Sequence, residues 1–146
     1  MIDKLDIEEK AQKMECKIND PISILPNNFK QANSKEQLFY GVTEVSAIAY
    51  LKKLGFESSM RDCDKKYGIK SQFSEFNSLN ILIENDNFPS ADIISDLLKT
   101  LLKRDIFPKN VEIKVFKRTK QGYKEKTYKG SSSALDNLPP SYWEFD

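Results

Sequence analysis

Apolar residues recur along this chain with two periods, and the alternation between them sets the order of elements. In residues 3–16, Ile7, Ala11 and Met14 fall at i, i+4 and i+7 with charges between them, which predicts a short amphipathic helix within an N-terminal helical segment, 1–17. Ile18-Asn19-Asp20-Pro21 breaks it, and Ile22-Ser23-Ile24-Leu25 reads as a short strand stopped by Pro26-Asn27-Asn28. Ser34-Lys35-Glu36-Gln37 has the form of a capping box. It predicts a helix over residues 35–54, with Leu38, Val42, Val45, Ile48 and Ala49 on its apolar face and Gly55 as the C′ residue.

Residues 56–78 are polar and carry the weakest pattern, although Tyr67-Gly68-Ile69 suits a turn into a short strand. Leu79-Asn80-Ile81-Leu82-Ile83 reads as a buried strand ended by Glu84-Asn85-Asp86-Asn87. Ser90 is placed to cap a helix over residues 91–104, striped by Ile93, Ile94, Leu97, Leu98, Leu101 and Leu102. Lys99, Lys103 and Arg104 then sit at the end the helix dipole favours. Val111-Glu112-Ile113-Lys114-Val115 alternates as a half-buried strand does. Thr119-Lys120-Gln121-Gly122 reads as a hairpin turn, and residues 123–129 as a more polar return strand at an edge.

The order α-β-α-(β)-β-α-β-β implies an α/β (α+β) fold. We expect a two-layer sandwich with a mixed sheet of four or five strands, a C-terminal antiparallel hairpin, and two or three packing helices. A length of 146 residues suits a single domain, with 131–146 as a C-terminal tail.

Composition narrows the function classes. There is no histidine, so Ser-His-Asp and Cys-His catalysis and histidine-containing zinc sites are excluded within this chain. Two cysteines, Cys16 and Cys63, cannot form a disulfide framework, and we expect two reduced thiols in a cytoplasmic protein. The start of the chain is too charged for a secretory leader, and no apolar run approaches the ~20 residues of a membrane helix. The formal net charge is +1, so any electrostatic argument must come from local clustering. No cofactor or metal is implied, and we expect a protein that is not an enzyme.

Clustering is present. Residues 71–98 carry five acids and no base, whereas residues 99–129 carry eleven bases against three acids. Within the hairpin lie Lys114, Lys117, Arg118, Lys120, Lys124, Lys126 and Lys129, interleaved with Phe116, Tyr123 and Tyr128. Such a surface can dock an acidic protein or follow a phosphate backbone while its aromatics stack on bases. The plainer reading, ahead of nucleic acid, is an edge kept soluble by lysines. In the tail, Tyr142, Trp143 and Phe145 beside Glu144 and Asp146 either anchor a partner or fold back to close the core.

Two acidic motifs carry less. Asp62-Cys63-Asp64 lacks the further ligands of a calcium loop, and its carboxylates suppress the thiolate. Glu84 to Asn87 follow a strand end, where α/β sheets place ligands, but a polar turn accounts for them.

Two stretches carry a resemblance. Ser23-Ile24-Leu25-Pro26-Asn27-Asn28-Phe29 with Ser34-Lys35-Glu36-Gln37-Leu38, and Tyr128-Lys129-Gly130 with Leu138-Pro139, are similar to an uncharacterised family of small bacterial α/β proteins. That family is associated with defence and toxin-antidote gene clusters. The resemblance covers both ends of the chain and not its middle, and carries over no catalytic residue. It implies a partner-binding protein, such as an immunity protein or a defence-complex accessory subunit. Nucleic-acid binding through the hairpin and small-ligand sensing are the alternatives. On this reading the partner-binding residues are Lys114, Lys117, Arg118, Lys120, Tyr123, Lys124, Lys126, Tyr128, Tyr142, Trp143 and Phe145.

Overall fold

A computed structural model describes residues 4–38, 40–60 and 78–145. The elements are α1 (Lys4–Lys13), β1 (Ile22–Ile24), α2 (Val42–Lys53), β2 (Ser78–Ile83), α3 (Ser90–Lys103), β3 (Asn110–Thr119) and β4 (Gly122–Ser131). Short 3-10 turns occupy Lys35–Gln37, Ser132–Asn137 and Pro140–Trp143. The expected Tyr67-Gly68-Ile69 strand and the Asp62-Cys63-Asp64 motif lie outside the described residues.

The fold is α+β, with one mixed sheet of four strands in the order β1-β2-β3-β4. The β1–β2 and β3–β4 pairs are antiparallel, and β2–β3 is parallel. A parallel pair cannot be closed by a tight turn, so α3 makes the crossover. β3 and β4 form the C-terminal hairpin, with Thr119 opposite Gly122. Among the described residues, no helix is long and apolar enough to cross a membrane.

Period-2 alternation divides the side chains between the two faces of the sheet. Ile22, Ile24, Leu79, Ile81, Ile83, Val111, Ile113 and Val115 point to one face. There they meet Ala47 and Leu51 of α2, the Ile94, Leu97, Leu98 and Leu101 stripe of α3, and Leu135 and Trp143 from the C-terminal turns. Leu82, Phe116 and Tyr123 point to the other face, against Ile7 and Ala11 of α1, Met14 just after it, and Leu25, Phe29, Ala32 and Leu38. Both faces are thus covered, and the second face carries more polar positions, namely Ser78, Asn80, Glu112 and Lys114.

Three local expectations are corrected. The helix expected over residues 35–54 is two elements. The Ser34 hydroxyl makes no capping bond, and Gln37 Oε1 instead accepts the Asn33 amide at 2.8 Å. The chain extends again at Leu38, and α2 begins after Gly41, whose amide donates to Glu44 Oε1 at 2.7 Å. The break lets Leu38 enter the second-face core while Leu51 enters the first, which one straight helix could not do. In consequence the buried line of α2 is Glu44, Ala47 and Leu51, whereas Ala49 is exposed and Val42, Val45 and Ile48 only half-buried. Gly55 does follow the helix with φ +95, a left-handed conformation that favours glycine.

Ser90 is the first residue of α3 rather than its cap. Pro89 takes the capping position, and no side chain caps that end. Cys16 is disulfide-bonded and buried in the second-face core, not a free thiol. Two cysteines are too few for a disulfide framework but enough for a single bridge.

Candidate functional site

The structure distributes the expected partner-binding residues over three places. The first is an ion cluster at the turn end of the hairpin. Arg118 on β3 faces the second side of the sheet and pairs with Glu84, just past β2, and with Glu8 of α1. Its Nε donates to Glu84 Oε1 at 2.8 Å. Tyr123, opposite Arg118 in the register, donates its hydroxyl to Glu84 Oε2 and lies 5.4 Å beneath the guanidinium. Partial burial alone would lower the Arg118 pKa, but the Glu84 and Glu8 carboxylates outweigh it and raise it. Burial, together with the bond to Glu84 and its charge, raises that of Tyr123. Arg118 and Tyr123 therefore hold α1, β2 and the hairpin together. Glu84 belongs to this cluster as well, while Asn85 Oδ1 accepts the Asn87 amide at 2.8 Å in a local polar turn.

The second place is where hairpin and tail meet, on the helix side of the sheet. Lys126 Nζ donates to the Glu144 carbonyl at 2.9 Å and lies 5.7 Å over the Tyr142 ring. Lys117 lies 5.8 Å over Phe145. The Tyr142 hydroxyl donates to the Thr127 carbonyl at 2.7 Å, and that of Tyr128 to the Ser131 carbonyl at 2.6 Å. Trp143 is 1% exposed in the main core, edge-on to Tyr142. Lys120 and Lys124 remain exposed near the hairpin turn, as does Lys129 near its other end.

The third place takes Lys114 alone, and sequence reasoning missed it. A cavity of about 430 Å³ opens on the second face, where the apolar packing of Leu82 and Phe116 gives way to polar strand positions. Its floor is Ser78 and Asn80 of β2 beside Glu112 and Lys114 of β3, directly paired in the register. Ile7 and Lys10 of α1 form one wall, and the loop carrying Leu25, Asn27, Phe29 and Lys30 forms the rim. Lys114 Nζ stands 3.9 Å from Glu112. Lys10 Nζ donates to the Lys30 carbonyl and lies 5.6 Å over the Phe29 ring. Burial lowers its pKa. The one available sequence signal was Asn80, a polar residue inside an otherwise apolar strand.

Behind the rim sits a buried carboxyl. Glu44 is 1% exposed, and burial pushes its pKa up to about 7, against the opposing pull of hydrogen bonds from Asn27 and the Gly41 amide. Asn27 Nδ2 donates to Glu44 Oε2 at 3.2 Å and to the Ser78 carbonyl at 3.4 Å. This arrangement fixes the rim loop to α2 and to the cavity floor.

Among the described residues, no group of three or more acidic, cysteine or histidine side chains is arranged to hold a metal ion. No protein-family model matches the chain, and neither a curated protein nor a solved structure matches it.

Proposed function

We propose that this is a non-enzymatic partner-binding protein that docks an acidic segment of another protein along its C-terminal hairpin. The observation that carries the reading is the position of β4. It is a ten-residue strand at the edge of the sheet, and no described strand pairs with its outer side. Lys124 and Lys129 are exposed along it, and Lys120 is exposed at the turn that leads into it. The opposite edge differs, because the Ile24 amide of β1 donates to the Ser58 carbonyl at 2.7 Å and Ile24 bridges to Ser59. An open strand edge offers backbone hydrogen bonds to an extended partner, and lysines beside it favour an acidic one.

Nucleic acid is the weaker reading of the same surface. Arg118, the hairpin's arginine, is engaged by two carboxylates, and Tyr123 is 3% exposed and so withheld from base stacking. The resemblance to defence-associated proteins makes a toxin or a defence-complex subunit the partner of this proposal.

The test is affinity capture from the native host at two salt concentrations, with and without nuclease. It compares the parent with a Lys120→Glu, Lys124→Glu, Lys129→Glu variant. One stoichiometric protein that survives nuclease and is lost from the variant supports the reading. Capture that vanishes with nuclease, or that the variant retains in full, overturns it.

A further inference from the structure

We infer that the cavity between α1, the loop of residues 25–31 and the sheet is a binding site for a small amphipathic anion. Such a ligand has a carboxylate or phosphate-monoester head on a compact apolar or aromatic body. The site is independent of partner docking, since the edge lysines of β4 do not line it.

Four observations converge. The volume, about 430 Å³, lies in the range of small-molecule sites, ~300–1,000 Å³. Three lysines line it, Lys10, Lys30 and Lys114, against a single acidic residue, Glu112. The positive excess disfavours a cationic ligand, and the Lys114–Glu112 contact at 3.9 Å is long for a committed pair. The remaining wall is hydrocarbon and aromatic, from Ile7, Leu25, Phe29 and Phe116. A bare inorganic ion would leave that wall unused, and a wholly apolar molecule would leave the positive excess unbalanced.

The floor and rim add directional groups. Asn80 stands opposite Lys114 in the register and both line the cavity, so the floor offers an amide-bearing and an ammonium-bearing residue side by side. Asn27 is held by Glu44 and the Ser78 carbonyl, which fixes the rim before a ligand arrives. A preformed rim reduces the ordering cost of binding. The position of Lys10 over Phe29 sets an ammonium at the junction of the polar and apolar walls.

Calorimetric titration of the full chain tests this with four probes. Benzoate and phenyl phosphate carry both head and body, inorganic phosphate lacks the body, and benzylamine reverses the charge. The expected result is saturable binding of benzoate or phenyl phosphate with Kd about 1 mM or tighter, a fair affinity for fragments of this size. Lys10→Gln and Lys114→Gln should each weaken it about tenfold or more. Backbone and side-chain amide resonances of Asn27 and Asn80 should shift on titration. Lys30→Gln, on the exposed rim, is the further variant should Lys10→Gln fail to keep the parent's Tm. The proposal is overturned by any of four results: no saturable binding of either amphipathic anion at tens of millimolar, equal binding of benzylamine or of phosphate alone, unchanged affinity in the lysine variants, or shifts confined to residues away from the cavity.

Discussion

The side-chain amide of Asn27 meets the carboxyl group of Glu44 across 3.2 Å, tying the rim of the cavity to the first turn of α2. Glu44 also accepts the Gly41 amide that begins that helix. One buried carboxyl therefore supports a helix start and a loop, and its protonation state bears on both.

Burial raises the Glu44 pKa from its ordinary value of 4.5 to about 7. A raised carboxyl binds its proton more tightly in the native state than in the unfolded one. Between pH 4.5 and 7 the unfolded chain has lost that proton while the native chain keeps it, so this group's contribution to stability falls as pH rises through that window and is level above it. Glu44→Gln removes the titration. We expect the variant to gain on the parent steadily from pH 4.5 to 7, by at most about 3 kcal/mol at the top. Urea unfolding of both proteins across pH 4–8 measures the difference, and parallel curves would show that Glu44 does not titrate in this window.

Arg118 stands between Glu84 and Glu8, and Glu84 is well buried. Removing the guanidinium leaves a carboxylate without its main counter-charge. Arg118→Ala should cost about 1–3 kcal/mol of stability, and Tyr123→Phe about 1–2 kcal/mol through the lost bond to Glu84. Lys120→Ala, at the exposed turn, should change stability by less than about 0.5 kcal/mol. Denaturant titration of the three variants separates the structural members of the basic hairpin from its exposed ones. A neutral Arg118→Ala would return that residue to the candidate docking surface.

Much of the fold was legible because the hydrophobic period is local. The alternation of Val111, Ile113 and Val115 and the stripe of α3 depend on neighbours a few residues apart, and those elements lie where the pattern put them. The α2 start was not legible, because Ser34 to Gln37 and Gly41 to Glu44 both carry capping signals. Tertiary packing of Leu38 on the second face decides between them. The basic run of the hairpin was visible as composition. Its division among an ion cluster, a tail contact and a cavity depends on α1 and β2, which lie far away in sequence. The cavity draws on four separate segments, and only Asn80 hinted at it.

Cys16 is disulfide-bonded, and Cys63 is the chain's other cysteine. A persistent bridge belongs to an oxidising compartment, which runs against the reduced thiols expected from composition. In oxidised protein unfolded without reductant, alkylation should leave Cys16 unlabelled. After reduction it should label Cys16, and stability should fall by about 2–4 kcal/mol. Mass spectrometry of the Cys16 peptide decides the point, and full labelling before reduction would restore the free-thiol reading.

Trp143 is the chain's single tryptophan, and the tail places it inside the main core rather than on a docking surface. Its neighbour Tyr142 fixes the same turn to β4 through the Thr127 carbonyl. Trp143→Ala removes a fully buried indole and should cost about 3–5 kcal/mol, whereas Phe145→Ala, half-exposed beneath Lys117, should cost far less. The native protein should show the blue-shifted emission of a buried indole, moving to the red in a single transition that coincides with loss of helix. Emission already at the solvent-exposed wavelength, with a Trp143→Ala variant as stable as the parent, would instead free this residue to anchor a partner.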